Sequence, residues 1–410
     1  MYLATNLTRI TVIAVGLVTS VAAASAASYN ALPLGSFGRG SSGAAISNRG
    51  QVTGWSYTSD GLETHPFLYS DGKIIDLGTL GGAVSEGNGV NILGQVTGTD
   101  FKDPRSGQSL TRAFLYTNGA MTDLSPLLGG SSYSTGSAIN DGGQITGVNA
   151  SGHAFLYSGG SVNDLGTLGG PQSEGRGINN LGQITGRADT TVNSHAFIYS
   201  SGKMVDLGTL ALGSLSVGNA INDNGQVTGV SDTLSLPPQP IRPPNNASHA
   251  FIYAAGKMSD LGTLGRTYSE GLGINAQGQV VGRSETSTHD FAATHAFIYA
   301  DGAMQDLNAL VTSGLGGAVL TEARGINDSG QIIANGCVDD AANCQAFLLD
   351  PVAPSGDGGG GGGCAAISAT PGGPIDPTLP VLLLLALAWG CVSTVQARTP
   401  PLSALRDTLA

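Results

Sequence analysis

Six times along the chain a basic or imidazole-bearing residue is followed eleven positions later by an aspartate. The pairs are His65 and Asp76, Arg112 and Asp123, His153 and Asp164, His195 and Asp206, His249 and Asp260, and His295 and Asp306. Imidazole beside carboxylate is the arrangement of an acid–base dyad, and the five histidines could in principle ligate a metal. Repetition argues against both. A dyad would have to be built six times, and histidines carried one per repeat stand too far apart to share one ion. The expected role is structural, a polar pair on one face of adjacent strands, with no catalytic, metal or cofactor-binding residue assigned.

Other chemistry-bearing patterns are weaker. Gly-x-Gly stretches such as Gly87-Asn88-Gly89 lead into strands, not helices, so they lack the context of a dinucleotide site. Asn222-Asp223-Asn224-Gly225 lacks the spaced ligands and terminal glutamate of a calcium loop and reads as a hairpin turn. No G-x-S-x-G, H-E-x-x-H or Walker sequence occurs, and from this the chain is expected not to be an enzyme. Cys337 and Cys344 bracket a short loop. In an exported protein they are expected to form a disulfide; a metal site with Asp339 and Asp340 is the alternative.

Composition narrows the possibilities. The 410 residues include 64 Gly, and 17 Lys+Arg stand against 29 Asp+Glu for a net charge of -12. A basic patch or stripe, the mark of a nucleic-acid binder, is not expected. The 40% hydrophobic content is enough for a core, which argues against wholesale disorder.

The elements that must position these residues recur. A block of the type HAF-[LI]-Y begins at His65, Arg112, His153, His195, His249, His295 and Gln345. A second, I-N-x-x-G-Q-[VI]-T-G, places its Gln at 51, 95, 144, 183, 226, 279 and 331. A third, D-L-G-T-L, begins at Asp76, Asp123, Asp164, Asp206, Asp260 and Asp306. This pattern resembles the bacterial extracellular HAF-repeat family, over roughly residues 29 to 350. The resemblance implies secretion and a repeat fold, and no established chemistry.

Each unit holds four short strand candidates. In one of them these are Gly177 to Asn179 with their neighbours, Gln183 to Gly186, His195 to Tyr199, and Lys203 to Leu207, separated by Gly-containing turns. Four strands in about 45 residues make one blade of a β-propeller; a β-helix would need shorter rungs. The predicted fold is all-β, a seven-bladed propeller of four-stranded blades. The seventh unit lacks its Asp-led strand, and Asn30 to Gly35 aligns with Asp76 to Gly81. The N-terminal strand should therefore close the ring three plus one, with Gln345 in place of the base and Asn30 in place of the acid. Closure removes exposed sheet edges.

The ends have a different character. Arg9, an apolar run from Ile10 to Ala24 and Ala24-Ser25-Ala26 read as a signal peptide over 1–27, a retained anchor being the alternative. The repeat domain is expected over 28–350. A Gly/Pro-rich linker with Cys364 follows over 351–374, then a sorting motif and transmembrane helix over 375–398 and a cytoplasmic tail over 399–410. Leu379 to Val395 would rise about 25 Å as a helix, at the short end for a span, and Arg398 and Arg406 orient it with the C-terminus in the cytoplasm. A buried core helix is the alternative. Cys364 and Ile375-Asp376-Pro377-Thr378 before the Leu-rich stretch resemble a JDVT-CTERM sorting signal. That resemblance implies an intramembrane sorting protease as a partner and delivery to the cell surface.

Binding is expected on the face that gathers the longest loops, Asp100 to Thr111, Ser231 to Ser248 and Arg283 to Thr294. Lys102, Arg105, Arg242, Arg283 and His289 are its candidate residues. The expected function is a non-catalytic binding module on the cell surface, transiently or stably held by its C-terminal helix. Its partner would be an extracellular glycan, polymer or protein, with no nucleic acid and no cofactor. A polysaccharide lyase or hydrolase with a site at the central channel, and a purely structural surface component, are the alternatives.

Overall fold

A computed structural model of the chain describes residues 28–102, 110–130, 133–211, 213–233, 247–286, 294–338 and 344–352. The signal peptide, Cys364, the motif from Ile375 to Thr378 and the membrane helix expected in the sequence lie outside these residues. So do Arg105, Arg242 and His289. Among the described residues, no helix is long and apolar enough to cross a membrane.

Each I-N-x-x-G-Q block sits in the first turn of an antiparallel four-stranded meander. The fourth unit shows the pattern: Ser173–Ile178, Ile184–Asp189, Ser194–Ser200 and Lys203–Asp206, hydrogen bonded in that order. The third unit stands as a separate sheet in the same way. The first two units join into one eight-stranded sheet through a single parallel bridge, Thr64 to Val84, and the fifth and sixth through Ser248 to Tyr268. The seventh unit contributes Val319–Ile326, Ile332–Cys337 and Cys344–Val352. Its fourth strand is the N-terminal Ser28–Pro33, antiparallel to Cys344–Val352 with Ser28 opposite Val352 and Pro33 opposite Phe347. A short strand, Val311–Ser313, runs parallel along the outer side of Ser28–Pro33. The last long strand ends two residues beyond the expected boundary at 350.

The register corrects the alignment of the closing strand. In the first unit Asp76 lies opposite Phe67 and the Leu77 amide donates to the Pro66 carbonyl at 3.0 Å. In the seventh, Pro33 lies opposite Phe347 and the Leu34 amide donates to Ala346 at 3.0 Å. Pro33-Leu34-Gly35 therefore takes the place of Asp76-Leu77-Gly78, three residues later than expected. Leu34 decides this register, because its side chain is buried as Leu77 is. Asn30 instead stands opposite Asp350 and accepts from the Ser313 hydroxyl at 2.7 Å, so it makes no pair with Gln345.

One phenylalanine per unit fills the core. Phe67, Phe114, Phe155, Phe197, Phe251, Phe297 and Phe347 are all fully buried, each among aliphatic side chains of its own and a neighbouring unit. Between units the fit is small against large. The Thr53, Thr97, Thr146, Thr185 and Thr228 side chains each face a glycine of the next unit's innermost strand, Gly87, Gly136, Gly175, Gly218 and Gly271, where a Cβ would collide. Ile333 of the seventh unit faces Gly43 of the first in the same way. The Asn335 side chain then bridges both backbone groups of Gly43, at 2.8 and 3.0 Å. The seventh unit thus packs on the first.

Candidate functional site

The innermost strands line a channel whose two ends are built differently. At the tight-turn end each motif Asn is buried and uses its whole amide. Asn179 Oδ1 accepts from the Leu181 and Gln183 amides at 3.1 and 2.9 Å, and its Nδ2 donates to Gln183 Oε1 at 2.8 Å. That Nδ2 also donates to the Asn222 carbonyl of the next unit at 2.9 Å. The same step recurs from Asn91 to Asn140, Asn140 to Asn179, Asn222 to Asn275, Asn275 to Asn327 and Asn327 to Ser47. A belt of side-chain amides therefore runs from unit to unit and across the chain ends. Ser47 is too short for the remaining step; Gln51, with its amide turned, reaches the Asn91 carbonyl at 3.2 Å. Above the belt stands a ring of apolar residues, Ile46, Val90, Ile139, Ile178, Ile221, Ile274 and Ile326.

The other end opens among the connections between units and the loops between second and third strands. Here every innermost strand carries a β-bulge, as between Gly175 and Gly177. A bulge inserts one unpaired residue and re-aims its side chain. The inserted residues are Ala44, Asn88, Ser137, Arg176, Asn219, Leu272 and Arg324, and all of them line one cavity of about 550 Å³. Six of the seven directly follow a glycine, Arg324 following Ala323 instead, and the seven positions hold five residue types.

Four carboxylates occupy the position two residues earlier: Glu86, Glu174, Glu270 and Glu322. Three are gripped by arginines. Glu174 holds Arg187 Nε at 3.0 Å and Arg176 Nε at 3.2 Å. Glu270 takes Arg283 Nη2 at 2.7 Å and the Tyr268 hydroxyl at 2.7 Å. Glu322 holds Arg324 Nε at 2.9 Å and accepts from Asn335 at 3.0 Å. Asn219 joins two of these groups, accepting from Arg176 at 3.0 Å and donating to Glu270 at 3.0 Å. Burial pushes the Glu270 carboxyl up, but the Tyr268, Arg283 and Asn219 contacts outweigh it and hold it below the usual carboxylate range. Burial and the Glu270 charge push the Tyr268 phenol up to about 12. Glu86 has no ion pair or hydrogen bond among the described residues, and burial raises its pKa against the opposing charge of Arg324.

The sequence-assigned residues fall as follows. The histidine–aspartate pairs come together on the long-loop side: Nδ1 reaches the carboxylate at 2.9 Å for His65 and Asp76, 3.0 Å for His153 and Asp164, and 2.9 Å for His195 and Asp206. For His249 and Asp260 the distance is 2.8 Å, and for His295 and Asp306 it is 2.6 Å. Each aspartate also accepts the backbone amide two residues on, as Gly166 donates to Asp164 at 2.8 Å. Arg112 departs from this scheme. Its Nη2 pairs at 2.6 Å with the fully buried Asp100, and Asp123 is 3.8 Å away. Cys337 and Cys344 form a disulfide with Cα atoms 4.0 Å apart. Among the described residues no group of three His, Cys, Asp or Glu is placed to hold a metal. Lys102 is exposed at the end of Val96–Lys102. Arg283 is a correction: it lies in the strand Val280–Thr286 and is spent on Glu270 and Tyr268 in the channel, not free on a loop. The channel carboxylates, arginines and amide belt escaped the sequence reading. The varying residue after the glycine of each innermost strand was the signal that could have found the mouth.

No family model matches the chain, and no curated protein matches it. Among solved structures, the chain is similar to the β-propeller domain of the trilobed protease from Pyrococcus furiosus, described as having an open velcro topology. That match has 10% identity and a TM-score of 0.49, covering 77% of this chain and 95% of the other. It is similar to YCF48 bound to D1 peptide, at 12% identity and TM-score 0.47, covering 80% and 96%. A gluconolactonase from Xanthomonas campestris also matches, at 12% identity and TM-score 0.31, covering 52% and 73%. The expectation that the chain is not an enzyme is corrected here. It rested on missing motifs, and enzymes stand among the structures of similar strand arrangement, so the missing motifs exclude no chemistry.

Proposed function

We propose that the chain is an exported seven-bladed β-propeller, closed three plus one by its N-terminal strand, that takes a glycan at the long-loop mouth of its channel. In this reading it is an HAF-repeat protein, and its C-terminal segment is a sorting signal handled by an intramembrane protease for display at the cell surface. One observation carries the ligand site: the bulged position of the innermost strand varies from unit to unit, and its side chains meet in one cavity. Guanidinium donors beside carboxylate acceptors suit hydroxyl groups, which both donate and accept. The cavity volume falls within the roughly 300–1,000 Å³ of ordinary ligand sites. Ser28 and Val352 lie at the tight-turn end, opposite the mouth.

Calorimetric titration of the full-length chain with cello-, xylo-, laminari- and malto-oligosaccharides tests the site. One series should bind, and Arg176→Ala should weaken it by about tenfold or more, equivalent to about 1.4 kcal/mol. Unchanged affinity would place the site elsewhere, and the absence of any binder would remove the glycan.

Glu86 favours a second reading, cleavage of the bound glycan by hydrolysis or elimination. Burial raises the Glu86 carboxyl pKa, which is the direction a general acid needs. In this reading wild type releases shorter products from the bound oligosaccharide and Glu86→Gln does not.

A further inference from the structure

The rim of the mouth is cut away at one place. In each of the first five units a threonine on the second strand donates to the carbonyl of the core phenylalanine on the third, and the number of residues between them measures the connection. The separation is 14 in the first unit, 17 in the second, 12 in the fourth and 23 in the fifth. In the third it is 9, from Thr146 to Phe155. The third unit's strands stop correspondingly early, at Ile145–Val148 and Ala154–Ser158. A turn of Asn149 to Gly152 replaces a loop, fixed by the Ala150 amide donating to Leu128 at 3.0 Å. The result is a notch of about 370 Å³ between the third and fourth units, with Tyr133, Gln172 and Arg187 on its walls. Glu174 lines both this notch and the channel cavity, so the two meet at one side chain. Tyr133 is 49% exposed, an apolar ring face beside polar groups, which suits the stacking of a sugar ring.

We infer that this notch is a second subsite, which seats the outer residues of a polysaccharide whose end enters the channel at Glu174. The inference rests on the glycan reading above and adds a direction and a length to it. A ligand filling both cavities spans several sugar rings, whereas one held by the channel alone gains nothing from extra length.

The test is the chain-length dependence of affinity, measured by calorimetry on the full-length chain with the disaccharide through the hexasaccharide of whichever oligosaccharide series binds. Affinity should rise by about tenfold or more from shortest to longest. Tyr133→Ala should remove that rise and leave the disaccharide unchanged, and Ser151→Trp, a substitution at an exposed turn residue, should do the same by filling the notch. Arg176→Ala should weaken every length alike. Equal affinity at all lengths, or a Tyr133→Ala loss equal for short and long ligands, would overturn the subsite while leaving the channel site standing. Failure of every series to bind would overturn the glycan reading and the subsite with it.

Discussion

The two ends of the innermost strands are a few residues apart in the chain and follow opposite rules. At the tight-turn end, six of seven units carry the same asparagine, and its amide is consumed in holding its own turn and the next unit. At the mouth, the corresponding positions run through Ala44, Asn88, Arg176 and Leu272 without a common chemistry. The difference shows that one end joins the units by a single repeated contact, whereas the other joins them by contacts that vary from unit to unit, such as Arg176 to Asn219 and Asn219 to Glu270. A polar group contributes to the fold at the tight-turn end by being fully hydrogen bonded in a buried place; at the mouth Glu270 meets the same demand, while the inserted side chains are not fully buried.

The sharpest way to break this comparison is to substitute both ends of one strand. Asn179→Ala leaves the Leu181 and Gln183 amides, Gln183 Oε1 and the Asn222 carbonyl without their partner. A loss of about 3 kcal/mol in denaturant unfolding is expected. Arg176→Ala, at the other end of that strand, should cost no more than about 1 kcal/mol because its ion pair is partly solvated. Equal losses would remove the division of labour. A second measurement looks at the mouth alone. Tyrosine ionisation followed by ultraviolet absorbance should show the Tyr268 phenol titrating at about 12. Its folded value is raised, so its contribution to stability is complete below the ordinary phenol range near 10 and is lost as pH rises from there through the folded value. Glu270→Gln removes the neighbouring charge and should bring the phenol down.

The smallest effect belongs to the paired histidine sites. Burial raises the Asp164 carboxyl, but the Gly166 amide, Asn149 and His153 outweigh this and hold it below its ordinary value. A lowered folded value gives stability that is present above the unfolded carboxylate range and lost as pH falls through the folded one. Asp164→Asn should therefore flatten acid unfolding below about pH 4 and leave stability near neutrality little changed. The carboxylate is substantially exposed, so the shift in the acid midpoint should be slight.

Much of the fold was legible because it repeats. The turn glycines, the HAF-type strand and the eleven-residue interval locate the meanders before any coordinates, and five His–Asp pairs stand where the interval puts them. The closing strand was legible only in outline. Its alignment was read from Asn30 as a substitute for an acid, whereas burial of Leu34 sets the register and leaves Pro33 in that position. The mouth was less visible still. A bulge is a property of pairing between strands, so the direction of Arg176 or Arg324 is not written in the spacing of either strand alone. Arg283 misled for a related reason: next to a long connection it reads as loop, while its cross-strand partner Glu270 makes it part of the channel wall.

The partnership of Ser28–Pro33 with Cys344–Val352 also governs time. The first of these strands to leave the ribosome waits for the last, and more than three hundred residues must be threaded before the two meet. Loop-closure entropy of that length has to be met before the contact returns anything. Until then the edge of Cys344–Val352 stands open as a template for a foreign strand. Maturation of this protein is for that reason a race between its own beginning and whatever neighbour arrives first.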